Sequence, residues 1–181
     1  MATDATNLIV ASSGLVATAP EGTTLPTDAT AALDAAFTEL GFITEDGVAF
    51  APDLSVDDVM AWQSLSPIRT LLTAYNIELS FSLLEWIEEA LILAFGGGNY
   101  TDNGDGTWDF ELPAPGERPT LALVFEGNDG SRTYRYVFPR VELIDTGDIQ
   151  LFKGGASEFP VTVKALAGAN GRAGTIYGDT N

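Results

Sequence analysis

Neither cysteine nor histidine occurs among the 181 residues. Their absence removes disulfide cross-links, thiolate nucleophiles, cysteine-ligated metals and every Ser-His-Asp or Cys-His catalytic arrangement. Basic residues are scarce as well. Eight Lys plus Arg stand against 26 Asp plus Glu, a formal charge of −18, and none of the eight precedes Arg69. Such a surface repels nucleic acid and anionic membranes, because phosphate-backbone binding relies on cationic side chains that displace condensed counterions. Solubility alone is the plainest use for this acidity. Long apolar runs are missing too: Ala90 to Phe95, the longest in mid-chain, falls far short of the roughly 20 residues of a membrane helix. The opening MATDATNLIVASSGLVATAP lacks a basic segment, and Ser12, Ser13 and Gly14 break its apolar run. No secretory leader and no membrane partner are therefore expected, and the protein is expected to be made and kept in a cytoplasm.

What is present supports little catalytic chemistry. Neither lysine lies in a phosphate-loop context, and Gly96-Gly97-Gly98 follows a helical pattern instead of opening one, so the glycines read as a helix cap and turn. The segment TDNGDGTWDFEL mimics a calcium loop, but alignment of Asn103, Asp105 and Gly106 leaves Thr101 and Leu112 where carboxylates belong. A hairpin turn is the better reading. Glu85, Glu88 and Glu89 could supply paired carboxylates, yet acidic residues at the start of a short helix chiefly serve its dipole. Trp62, Trp86 and Trp108 could form a sugar platform, but each lies in an apolar pattern that suits core or interface packing. Arg132, Arg135 and Arg140 read as partners for carboxylates within or between subunits. Neither an enzyme nor a cofactor is expected.

The length suits a single domain covering residues 1–181. Residues 1–27 read as an N-terminal arm or edge strand, with a strand candidate at Leu8 to Val10, and Asp28 is placed to cap a short helix over Ala29 to Leu40. Residues 44–67 show little sustained periodicity and read as a long loop with large apolar residues lacking local support, Phe50, Leu54, Met60 and Trp62 among them. Then Ile77, Leu79, Phe81 and Leu83 alternate with Glu78, Ser80 and Ser82, which predicts a strand with one apolar and one polar face. A helix over Trp86 to Phe95 follows, then a turn at 103–106 before TWDFEL, and a hairpin joining TLALVFE to RTYRYVF across 127–130. VELI, DIQLF and FPVTVKALA are further strand candidates, and 168–181 reads as a Gly-rich C-terminal arm. The sum is a mainly β protein, an antiparallel β-sandwich or half-barrel with one short packed α-helix and extended terminal arms.

Two stretches of this pattern resemble a known family. FTELGFITEDGVAFAPDLSVDDVMAWQSLSPIRTLLTAYNIELSFSLLEW, from Phe37 to Trp86, and YRYVFPRVELIDTGDIQLFKGGASEFPVTVKALA, from Tyr134 to Ala167, resemble the major tail tube proteins of siphophages infecting actinobacteria, in the order of segments more than in any one motif. The resemblance implies a virion structural protein, assembled in the host cytoplasm, whose hexameric rings stack around a pore that conducts genomic DNA without binding it. It implies as partners further copies of the chain together with tape-measure, tail terminator and distal tail proteins. Within it, Glu78, Ser80 and Ser82 are candidates for the lumen, and Phe50, Leu54, Met60 and Trp62 for contacts between subunits or rings. Rival readings are another ring-forming head-tail joining protein and a carbohydrate-binding β-sandwich.

Overall fold

The computed structural model describes residues 8–130, 132–151 and 153–179. In chain order the elements are β1 Ser13–Pro20, β2 Thr38–Glu39, β3 Ala49–Val59, β4 Arg69–Leu83, α1 Glu88–Phe95, β5 Asn99–Asp102, β6 Trp108–Glu111, β7 Leu121–Asn128, β8 Thr133–Thr146, β9 Phe159–Ala165 and β10 Thr175–Gly178. Eight strands form one antiparallel sheet in the order β2-β1-β7-β8-β9-β4-β3, with β10 beside the first half of β8. A separate hairpin joins β5 to β6.

Alternation in β4 and β9 builds the core. Ile77, Leu79, Phe81 and Leu83 face the same side as their cross-strand partners Ala165, Val163, Val161 and Phe159, and all eight are buried. Burial of a side chain of valine size or larger contributes about 1.5–3 kcal/mol. The predicted helix forms and lays Ala90, Leu91, Leu93 and Ala94 over this face. Gly96 ends it in the left-handed conformation, and Gly97 N–H donates to Ile92 O at 2.8 Å. The sheet curls, so that Phe50 on the last strand reaches Tyr136 and Phe138 on β8 at ring-centroid separations of 5.9 and 6.3 Å. It remains an open half-barrel. Residues 38–44 lie between its two edges, with Leu40 N–H donating to Val16 O and Thr44 N–H to Ser82 O.

Four expectations need correction. The N-terminal arm of 1–27 contains an interior strand displaced from Leu8–Val10 to Ser13–Pro20; residues 1–7 lie outside the described set. Small residues permit its packing, and a Cβ at Gly14 would sit 2.4 Å from Glu126 O. No helix forms over 29–40: Asp28 Oδ1 accepts the N–H groups of Thr30 and Ala31 as a cap would, but the chain goes on as bends and a turn in which Asp34 Oδ1 accepts the Ala36 N–H and Asp34 O the Phe37 N–H. The stretch 44–67 is not one long loop: its centre is strand β3, paired with β4 as far as Val59 opposite Arg69. Its alternation of Phe50, Pro52, Leu54 and Val56 with Ala51, Asp53, Ser55 and Asp57 is a strand signal, and Pro52 is tolerated because β3 is an edge strand. Within the C-terminal arm, Thr175–Gly178 pairs with Tyr134–Val137.

Two substitutions separate the packed body from the β3-β4 ribbon. Leu83→Ala, at a fully buried position, should lower the subunit's urea unfolding free energy by about 2–5 kcal/mol. Leu72→Ala, on the exposed outer part of β4, should change it by less than about 0.5 kcal/mol.

Candidate assembly surface

Beyond Asn76 the β3-β4 pair leaves the body as a two-stranded ribbon. A bulge at Thr73 on β4, opposite Ser55 and Val56, shifts the register by one residue, so that Leu54 opposes Tyr75 and Val56 opposes Leu72. These four apolar side chains share the face that continues into the core, and each is more than half exposed. Asp53, Ser55 and Asp57 lie on the other face with Asn76 and Ala74. An isolated two-stranded ribbon is marginal in water, and an uncovered apolar face marks a site of association. Of the residues singled out from the sequence, Leu54 lies on this face and Met60 and Trp62 lie in the connection beyond it, all exposed. Phe50 differs, because its contacts with Tyr136 and Phe138 root the ribbon in the body.

Glu78, Ser80 and Ser82 occupy the opposite surface of β4 from the core. Their neighbours on β9 are Lys164, Thr162 and Pro160, and on β8 Glu142 and Asp145 oppose Lys164 and Thr162. Ser80 Oγ lies 3.0 Å from Thr162 Oγ1. The sheet thus presents hydroxyls and carboxylates around a single lysine that two glutamates flank in register. A phosphate approaching it meets net negative charge.

Sequence reasoning missed a third feature, the strap formed by residues 21–37. It covers a second small apolar layer, in which Ala17, Ala19, Ala122, Val124 and Val137 meet Ala29 on the side of the sheet away from the main core. Arg135 fastens it. The guanidinium pairs with Glu126 at 2.6 Å and donates from Nη1 to the carbonyls of Asp28 and Ala31 at 2.9 and 2.7 Å. Farther along, Arg140 lies 2.8 Å from Glu21, whose carboxylate also accepts the Thr120 hydroxyl. The Thr30 N–H, then that of Ala31, hold the Asp28 carboxyl below its ordinary value. A depressed carboxyl contributes stability above its unfolded pKa and loses it as pH falls through the folded one, so acid loosens this turn.

The catalytic candidates do not converge. Glu85 Oε1 accepts the Phe42 N–H at 3.2 Å, and Glu88 and Glu89 sit in the first turn of α1. Asp105 accepts the hydroxyl and N–H of Thr107 within the β5-β6 turn, as a hairpin requires. Trp86 packs edge-on against Phe159, Trp108 stacks on Tyr100, and Trp62 stands apart, so the tryptophans form no common platform. Among the described residues, no group of three carboxylates is placed to hold a metal, and no helix is long and apolar enough to cross a membrane.

The fold is thus an open antiparallel half-barrel from which an apolar ribbon projects. The family model for phage tail tube proteins matches residues 1–179, and the chain belongs to that family. It is thus a structural component of a virion tail that assembles with further tail components into a tube. No curated protein matches the chain.

Arg135→Met would leave Glu126 and two strap carbonyls unpaired. Removing one member of a buried ion pair costs about 3 kcal/mol or more. Urea unfolding should show a loss of that order, and amide exchange over residues 28–31 should accelerate.

Proposed function

We propose that the chain closes into hexameric rings that stack into the tail tube of a siphophage-type particle, with genomic DNA passing along the bore. The observation that carries this reading is the ribbon, whose apolar face has no partner within its own subunit. Cover supplied by sister copies makes assembly and ribbon burial one event. The ribbon, residues 8–12 and the segment after Gly168 are the contacts assigned between subunits or rings.

Glu78, Ser80 and Ser82 are assigned to the lumen, where hydroxyls and carboxylates keep DNA from adhering. Six copies at −18 each carry −108 per ring. No phosphate can exchange its counterions for protein cations on such a wall, so DNA is cargo and not a ligand. Tape-measure, tail terminator and distal tail proteins are the further partners expected by family resemblance.

Negative-stain microscopy of the concentrated protein should show hollow filaments with a regular axial repeat. Isolated rings would favour a joining protein, and a monomer at every concentration would contradict the reading. Replacing residues 56–73 with an Asn-Gly turn should abolish filaments while the β circular dichroism persists. Raising salt from low to near-physiological concentration should lower the protein concentration at which filaments appear, because the Debye length falls to about 8 Å and repulsion between acidic copies is screened.

A further inference from the structure

The ribbon tip carries no charge in an otherwise strongly acidic chain. From Val59 to Ile68 the sequence VMAWQSLSPI contains no Asp, Glu, Lys or Arg. Between copies that repel one another, contact costs least where one side brings no charge. The tip also holds the two most exposed large apolar side chains among the described residues, Trp62 at 99% and Leu65 at 102%.

Their own subunit cannot cover them. Pairing of β3 with β4 runs from Ala49 to Val59. Those ten residue steps hold the tip about 33 Å from the Ala49 end of β3. Beside that end lies a groove of about 560 Å³, lined by Phe42, Ile43, Val48 and Phe125 and opened by the small residues of the 11–14 segment. Phe42 is 74% exposed. The volume lies within the roughly 300–1,000 Å³ of sites that enclose small molecules, enough for an indole and an adjacent leucine side chain. Glu45 and Asp46 are the charged residues of its lining, so a neutral insert meets no like charge there.

We infer that Trp62 and Leu65 of one copy seat in the groove framed by Phe42, Ile43, Val48 and Phe125 of a second copy in the adjacent ring. The inference rests on the tube reading above and gives the ribbon a defined receptor. Tip and groove are different patches of one surface separated by the ribbon's length. Used head-to-tail, such a contact propagates along a stack of rings. A buried tryptophan in a fitted pocket is the kind of residue that dominates interface energy.

Because the chain has no cysteine, site-specific cross-linking tests this directly. Gln63→Cys, at the tip, is mixed with Glu45→Cys, at the groove, or with Leu112→Cys, an exposed position outside it. Each mixture is assembled and treated with a short bis-maleimide. The Glu45 position should yield roughly tenfold more cross-linked dimer than the Leu112 position, and Trp62→Ala combined with Leu65→Ala should raise the filament-forming concentration tenfold or more. Unchanged circular dichroism and urea unfolding of the double variant establish that its subunit is intact. Filaments without Glu45 enrichment, or a double variant that polymerises at the wild-type concentration, would overturn the inference and leave the tube reading standing. Failure of the wild-type chain to form filaments would overturn both.

Discussion

An apolar face on a two-stranded ribbon has no cover within its own subunit, and the rest of this molecule is arranged around that constraint. The body packs its own core: β4 and β9 interlock under α1, and the strap seals the reverse side of β1, β7 and β8. Leu54, Val56, Leu72 and Tyr75 lie beyond that core and stay more than half exposed. Strand β4 connects the two regimes, with its second half forming the core and its first half projecting into solvent. The ribbon keeps its direction because Phe50 is wedged against β8 at its root.

Charge is distributed to the same end. Two of the few cations, Arg135 and Arg140, are used inside the subunit to hold the strap, where they pair with Glu126 and Glu21. The outer surface is left anionic, with Lys164 flanked by Glu78 and Glu142 in the sheet register. Like-charged copies associate only where apolar burial outweighs repulsion. In the proposed tube, the neutral ribbon tip and the uncovered ribbon face meet that condition, while the acidic surface repels the passing polyanion.

Legibility in the sequence followed the strength of local pattern. Ile77 to Leu83 and Phe159 to Ala165 were readable because strict alternation coincides with burial of one face. Helix α1 and the hairpins around 103–106 and 127–130 were readable from glycine and turn chemistry. Strand β3 escaped because Pro52 and three aspartates disguise a period of two, and only its place at the sheet edge makes that composition acceptable. Strand β1 escaped because Gly14, Ala17 and Ala19 carry a weak strand signal, and cover for one of its faces comes from the strap, which itself has no regular pattern. The false helix over 29–40 arose from spacing and the Asp28 cap; the cap bonds form, but the chain continues as bends and a turn at Asp34. Met60 and Trp62 stood out for the opposite reason, as large apolar residues with no local pattern to cover them. The Arg135 clamp joins residues more than 100 positions apart, a pairing that no local signal encodes.

Hydrogen exchange compared between the dissociated subunit and the concentrated assembly tests the central claim most directly. Amides over residues 54–72 should exchange quickly in the dilute subunit and slow by orders of magnitude on assembly, while those of β7 and β9 remain protected in both. Equal exchange across the ribbon in the two states would show that sister copies do not cover it, and would contradict the proposed basis of assembly.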